Sequence, residues 1–413
     1  MNNSPNHELL LSPEQPIDLT NCEREPIHIP SRIQPHGILL VLREPDFLIL
    51  QASDSTELLP GTSAHALLGK PLSALLQPSD VDALQAACLQ HPLDTNPVYL
   101  LTMQIQGQEA LFDAIVHRSQ GMLVLELESA PSGAARQDTY ALVRQAVPLI
   151  QSARTPAKMY DAAAVQFRRI SGFDRVMVYQ FDPDGHGSVV AESKRDDMSP
   201  FLGLHYPASD IPAQARRLYT LNLLRLIADV AYTPADIVPT LNPVTGTVLD
   251  MSYCVLRSVS PIHVQYLRNM GVGASMSISI LKDGELWGLI ACHHDTARFV
   301  SYDVRTACEF VGQIVSLQFA TKQDAADTAY QIRLKDVQMQ LVALMANEST
   351  YQEGLVRLHP NLLDFVETRG AAVSIDGGLL TLGKVPNEEF LKGFIAWPPF
   401  AMPFRLAPSL ATC

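Results

Sequence analysis

The period of apolar positions changes several times along the chain, and each change marks an expected element. Gly37-Ile-Leu-Leu-Val-Leu42 and Phe47-Leu-Ile-Leu50 flank Glu-Pro-Asp and predict two short strands around a turn. Ser79 to Leu89 has helical spacing, with Ser79 or Asp80 as the expected cap. Val98–Ile105 and Met122–Glu128 predict further strands, and Ala130-Pro-Ser-Gly-Ala-Ala has linker chemistry. These elements outline a small α+β domain ending near residue 130. A helix-rich stretch follows from Asp138 to Ser171, and Phe173–Phe181 then alternates as a half-buried strand.

Ser275-Met-Ser-Ile-Ser-Ile-Leu281 alternates more strictly. Its period puts Ser275, Ser277 and Ser279 on one face and Met276, Ile278 and Ile280 on the other. The serine face reads either as solvated surface, which pattern alone favours, or as the wall of a polar pocket. Glu285–His294 predicts a strand whose two terminal histidines point to opposite faces. The Pro/Thr/Asn-rich segment Ala228–Ser252 is long enough for a loop to imply function. From Tyr302 to Asn347 a helical period persists through Val304, Val311, Ile314, Ile332, Val337, Leu341 and Leu344. About 45 helical residues reach roughly 65 Å, so this helix should connect domains or pair with a second chain. Residues 355–385 begin another α+β pattern, with Ala371–Ile375 and Leu379–Leu382 as a hairpin about Asp-Gly-Gly. Trp397-Pro-Pro-Phe-Ala-Met-Pro-Phe-Arg-Leu-Ala-Pro is poor material for strand or helix.

Composition narrows the class. The 413 residues correspond to about three domains. A net charge of −13 argues against a nucleic-acid surface. The start, Met-Asn-Asn-Ser-Pro-Asn-His, lacks a signal peptide's basic and apolar regions, and no apolar run is long enough to span a bilayer. Cysteines at 22, 88, 254, 292, 308 and 413 show no CxxC spacing, which fits a reducing cytoplasm better than disulfides or a zinc site.

Candidate chemistry is confined to a few places. Asp210, in Pro207-Ala-Ser-Asp-Ile-Pro212, reads most simply as a helix cap, and Ile211 is pushed to extended geometry by Pro212. Arg225 and Arg257 interrupt apolar stretches; such arginines snorkel, pair with carboxylates, or capture a ligand's carboxylates. His263 and His293 lie in apolar contexts, where a satisfied core histidine is the commoner outcome. Cys22 sits among Glu23, Arg24 and Glu25, too polar for core, and Arg24 favours its thiolate. Cys254, near Arg257, is the competing nucleophile; Cys292 and Cys308 read as core. No phosphate loop, GxSxG elbow, kinase catalytic loop or metal-binding histidine spacing is present, so an enzyme is not expected.

Several motifs, in order, closely resemble the bacterial phytochromes over residues 15–345. They are Cys22-Glu-Arg-Glu-Pro-Ile-His-Ile-Pro30, Ile33-Gln-Pro-His-Gly37, Pro207–Pro212, Tyr266-Leu-Arg-Asn-Met-Gly271 and Leu286-Trp-Gly-Leu-Ile-Ala-Cys-His293. The resemblance implies an α+β architecture: a mobile arm at 1–20, a PAS domain at 21–130, and a GAF domain at 138–320. A connecting helix at 302–347 and a shortened PHY-like region at 348–413 follow. It further implies that the arm threads a lasso at Ala228–Ser252, forming a knot.

By the same resemblance, Cys22 is the thioether site for biliverdin IXα, a linear tetrapyrrole. Ile262 stands where plant-type relatives carry their attachment cysteine. Asp210 would offer its carbonyl to pyrrole N–H groups and its carboxylate to a light-sensitive network. His263 would stack near the inner pyrroles, Arg225, Arg257, Ser275 and Ser277 would hold the propionates, and His293 would bond the D-ring carbonyl. Tyr179, Tyr206 and Tyr266 would line the space where that ring turns, and Ile211, Tyr219 and Ser260 complete the implied binding set. The implied activity is red/far-red photoreception by Z/E isomerisation at C15=C16, with a homodimer through GAF helices and the long helix, and a separate signalling partner. No counterpart of the family's PHY tongue, and no kinase domain, is read after Pro386. A red-absorbing or fluorescent binder with impaired photoconversion, and a pigment-free PAS–GAF scaffold, are the alternatives.

Overall fold

The computed structural model describes residues 21–55, 58, 62–94, 97–130, 139–348, 350–366, 368–375 and 378–396. The expected mobile arm 1–20, the linker beyond Ala130, Asp376-Gly377 of the hairpin turn and the Trp397–Pro408 segment lie outside the described residues. The chain divides into two units, at residues 1–322 and 323–413.

The first unit holds two sheets. Strands β1 (Arg32–Ile33), β2 (Gly37–Arg43) and β3 (Leu48–Ser53) open the chain. Short helix α1 (Ala64–Leu67) and helix α2 (Pro78–Gln90) precede β4 (Val98–Gln104), β5 (Leu111–Ser119) and β6 (Met122–Ser129). Helices α3 (Thr139–Gln151) and α4 (Pro156–Ser171) lead to β7 (Arg175–Phe181), β8 (Gly187–Lys194) and β9 (His205–Tyr206). Then come α5 (Ala213–Leu221), β10 (Leu224–Ile227), β11 (Ala235–Val238), α6 (Pro261–Asn269), β12 (Ala274–Lys282) and β13 (Glu285–His294). Helix α7 (Tyr302–Asn347) begins in this unit. The first sheet has the order β1-β11-β3-β2-β6-β5-β4 and the second β10-β12-β13-β7-β8-β9, with antiparallel pairing throughout.

Several expectations change here. Strand β5 was not expected: Phe112–Val116 is apolar except for Asp113 and is buried on both faces, so no alternation marks it. Strand β7 is buried almost throughout rather than half-buried. Neither Ser79 nor Asp80 caps α2, which starts at Pro78 without a side-chain cap; Asp80 instead accepts the Gln104 N–H at 3.3 Å. The Ala228–Ser252 segment contributes β11 to the first sheet, where it pairs with both β1 and β3.

Arm residues 27–34 are bonded on both sides by later chain. Ile237 N–H donates to Ser31 O, Met251 N–H to His28 O, Ser258 N–H to Arg32 O, and Gln34 N–H to Leu256 O. Gln34 is buried and fastens the crossing with Nε2 to Leu226 O at 2.8 Å and Oε1 to the Ala228 N–H at 3.3 Å. Breaking this crossing would strand buried backbone groups.

The second sheet packs one face on helices. Met276, Ile278 and Ile280 join Phe167 of α4 and Val304, Cys308, Val311, Val315 and Phe319 of α7 in one core. A Cβ on Gly312 would come within 2.6 Å of Ile278 Cγ2, so glycine allows α7 to lie against β12. This packing commits the odd-numbered serines of β12 to the opposite face.

The second unit contains the rest of α7, then α8 (Tyr351–Val356), α9 (Leu362–Val366), β14 (Gly370–Ile375), β15 (Gly378–Gly383) and α10 (Glu388–Ile395). Strands β14 and β15 form the expected hairpin. Helix α10 was not anticipated, although Asn387 caps it by accepting the Phe390 N–H, with Glu388 and Glu389 in its first turn. Of the expected α7 stripe, Leu341 is buried while Ile332 is exposed. Among the described residues no helix is long and apolar enough to cross a membrane.

Candidate functional site

Behind the core, the free face of the second sheet forms one wall of a mainly apolar cavity into which a few polar groups converge, the usual character of a small-molecule site. Strand register explains the wall. His293 lies opposite Ser275 and Arg175, and Ala291 opposite Ser277 and Met177. Met177, Tyr179, Ser275, Ser277, Leu289, Ala291 and His293 therefore face the same space. Tyr206, Asp210, Ile211, Tyr219, His263 and Tyr266 close the other side. The serine face is thus a pocket wall, not solvated surface, and Ser279 is buried.

Asp210 is not a helix cap. It ends a one-turn helix, Ala208–Asp210, while α5 starts at Ala213 after Pro212 without a side-chain cap. Its carboxylate accepts the Tyr266 O–H at 3.2 Å. Burial, then the Asp210 charge, pushes the Tyr266 phenol well up. Arg216 stiffens the turn by donating from Nη1 to Ile211 O at 2.7 Å.

His263 enters from the first turn of α6, which Ser260 caps by accepting the Ile262 N–H at 3.3 Å. Its ring stacks near Tyr266, with centroids 6.4 Å apart and planes 11° from parallel. Burial, then Arg225, pushes His263 down to about 4; burial, then Arg175 and His263, does the same to His293. Both rings line the cavity, and both are therefore neutral imidazoles at neutral pH.

Acid should expose this arrangement. An unfolded histidine titrates near 6.5. Between pH 6.5 and about 4 the unfolded chain binds protons that the folded cavity refuses, so stability is complete above that window and falls as pH falls through it. Urea midpoints of the pigment-free chain should drop over this range. His293→Gln should flatten the drop; an unchanged slope would contradict the neutral ring.

Arg225 stands behind the wall rather than in it. It donates to Ser277 Oγ from Nε at 3.1 Å and Nη2 at 2.9 Å, and from Nη1 to Ser279 Oγ at 2.8 Å and Asn222 O at 2.7 Å. The guanidinium lies 3.8 Å from the Tyr219 ring centroid, and burial lowers it to about 10. Arg257 donates from Nη1 to Ile27 O of the arm at 2.6 Å. Its Nε, like His293 Nδ1, is buried without a hydrogen-bond partner among the described residues. Such orphans call for an acceptor or donor from elsewhere.

Cys22 is half-buried in the one-turn helix Cys22–Arg24 and is not a wall residue of the cavity. Gln214 Nε2 of α5 donates to its carbonyl at 2.7 Å, tying the arm to the helix beside Asp210. Ser260 also bonds the buried Glu25, whose carboxyl is pushed up chiefly by burial. The fold therefore brings ten expected residues into the cavity: Tyr179, Tyr206, Asp210, Ile211, Tyr219, His263, Tyr266, Ser275, Ser277 and His293. It leaves Cys22, Arg225, Arg257 and Ser260 in the surrounding frame. Cys254 does not compete as a nucleophile: it is 3% exposed, and burial raises its thiol well above the usual range. Missed wall residues are Met177, Val189, Leu267, Met270, Leu289 and Ala291. Alternation from Tyr179 and His293 along their strands points to three of them.

Known families match in the same order: the PAS fold at residues 22–130, the GAF domain at 155–321 and the phytochrome region at 334–402. The chain is 44% identical over 384 residues to cyanobacterial phytochrome B of Nostoc sp., covering 92% of this chain and 51% of that protein. It is 39% identical over 369 residues to a bacteriophytochrome of Pseudomonas aeruginosa, covering 89% and 49%. The chain spans about half the length of the curated relatives it matches. Among solved structures, the Stigmatella aurantiaca phytochrome photosensory core module superposes with a TM-score of 0.72 at 44% identity, over 93% of this chain and 76% of that one. The chromophore-binding domain of an unusual bacteriophytochrome from R. palustris gives 0.69 at 42% identity, over 74% and 99%. With three domain families in sequence and this identity over about three quarters or more of each solved module, the chain belongs to the phytochrome family.

Proposed function

We propose that this chain is a light-sensing module that holds biliverdin IXα in the cavity and binds it covalently through the Cys22 thiol. The observation that carries this reading is the cavity's donor set. One carboxylate, two neutral imidazoles and a serine wall backed by a guanidinium surround the space, and His293 Nδ1 and Arg257 Nε are buried without hydrogen-bond partners among the described residues. An elongated molecule with pyrrole N–H donors, a terminal carbonyl and two carboxylates matches these groups in kind. The solved relative from R. palustris is itself described as a chromophore-binding domain.

Bound there, the pigment would supply red-light absorption and Z/E isomerisation about C15=C16. The chain's own residues do the rest. Asp210 accepts hydrogen bonds from the pyrrole N–H groups at its backbone carbonyl, and its carboxylate stabilises a cationic pigment by its charge. Arg225 and Arg257, with Ser275 and Ser277, take the propionates; Arg225 is already aligned by two serines and the Tyr219 ring. His293 bonds the terminal carbonyl, and neutral His263 stacks without adding a repelling charge. Tyr179 and Tyr206, 5.9 Å apart between centroids, bound the space in which a ring can turn.

The module works as a homodimer and passes its change to a separate signalling partner. Exposed Tyr140 of α3, Leu149 of α3, Val165 of α4, and Phe310 and Leu317 of α7 favour an apolar self-interface. Absence of any disulfide among the five described cysteines is compatible with a reducing cytoplasm.

An absorbance spectrum of the biliverdin-loaded chain before and after red light tests the activity. A red band replaced reversibly by a far-red band supports photoswitching. A stable red band unmoved by light reduces the function to pigment binding, and no red band at all leaves the scaffold reading.

A further inference from the structure

A second cluster of chemistry lies away from the cavity, between the first sheet and the chain returning from the Ala228–Ser252 segment. His117 is on β5, Glu126 on the neighbouring β6, and Cys254 just beyond that segment. Cys254 Sγ is 3.8 Å from His117 Nε2, and His117 Nδ1 is 3.9 Å from Glu126 Oε2. Taking one ligating atom from each residue, all three lie within 4.8 Å of one another. His117 and Glu126 side chains are 1% and 0% exposed. We propose that these three residues form a buried site for a thiophilic divalent cation of the zinc class.

Geometry and charge carry the proposal. A tetrahedral zinc with ordinary bond lengths separates a sulfur from a nitrogen ligand by about 3.5 Å, so the sulfur–Nε2 pair needs to close by only a few tenths of an ångström. Glu126 is held in place as ligating carboxylates are, by hydrogen bonds: its oxygens accept the N–H groups of Val255 at 3.1 Å and Leu256 at 2.7 Å, and each keeps a further lone pair. Those residues directly follow Cys254, so thiol and carboxylate are held as one piece. A cation on Nε2 would fix the His117 proton on Nδ1, the nitrogen that faces Glu126.

A divalent cation, a thiolate, a carboxylate and a neutral imidazole sum to zero charge. The cation can therefore occupy this interior without leaving a net charge there. On binding, the thiol proton and any carboxyl proton pass to solvent. Three protein ligands leave one tetrahedral position open. The clamp would fasten the Asp250–Arg257 stretch to the first sheet. None of these residues lines the pigment cavity, so the proposal stands apart from the pigment reading.

The test uses the full chain without tetrapyrrole, because pyrrole nitrogens also chelate zinc. The chain is unfolded with chelator, refolded with zinc or cobalt chloride, and desalted. One zinc per chain by elemental analysis, and a thiolate-to-cobalt charge-transfer band, are expected. Cys22→Ser should keep both, while Cys254→Ala and His117→Gln should lose both and retain native circular dichroism. Sub-stoichiometric zinc with no charge-transfer band in the unmutated chain would overturn the site, leaving a hydrogen-bonded triad. Stoichiometric metal that survives Cys254→Ala would overturn it equally. Because the charge-transfer band is read on the unmutated chain, the test holds even if a variant fails to fold.

Discussion

Asp210→Asn is expected to lower the pH at which the bound pigment gives up its proton by about one to three units, the usual effect of an opposite charge within a few ångströms. Asp210 is the one carboxylate among the cavity-lining residues. The histidines beside it are held neutral by burial, and the guanidinium of Arg225, behind the serine wall, opposes a cationic pigment. The pigment's positive charge therefore depends on Asp210 more than on any other wall group. Asparagine keeps the size and can still accept the Tyr266 O–H, so packing should survive. A pH titration of the red band in both proteins reads the effect. An identical midpoint would show that the charge is supplied elsewhere.

Arg225→Ala should weaken non-covalent biliverdin binding by about 10- to 150-fold, corresponding to about 1.5–3 kcal/mol for a charge-assisted hydrogen bond. The measurement belongs in a Cys22→Ser background, where binding stays at equilibrium. Arg225→Lys should recover part of the loss, since lysine restores charge but not the planar fork that now spans Ser277 and Ser279. Ser279 keeps its bond to Tyr219 O in either variant, which limits collapse of the wall. Unchanged affinity would make Arg225 a structural strut.

The legible parts of this fold were those whose period is set locally. β12 alternates in sequence because one face is core and the other cavity. Helix α7 spans the residues its apolar period marks. What was not legible depended on partners distant in sequence. β11 is four residues, Ala-Asp-Ile-Val, and becomes a strand only because β1 and β3 flank it. β5 is buried on both faces, which erases alternation. The serine face was ambiguous because its surroundings are decided by α5 and α6, not by the strand. Asp210 looked like a cap because Asp-Ile-Pro precedes a helix; the intervening extended Ile211, with φ −129°, separates it from α5. The pairing of His117, Glu126 and Cys254 has no local trace at all.

Attachment at Cys22 is the claim on which the account turns. The arm carrying it is bonded to α5 through Gln214 and to Arg257 through Ile27, so the thiol is delivered to the frame of a cavity built by a later domain. The most direct measurement is the intact mass of the denatured chain after incubation with biliverdin. A rise by one biliverdin is expected in the unmutated chain, and none in Cys22→Ser, which should still show a red band before denaturation. An equal rise in Cys22→Ser, or a red band in the unmutated chain with no rise in mass, would contradict attachment at Cys22.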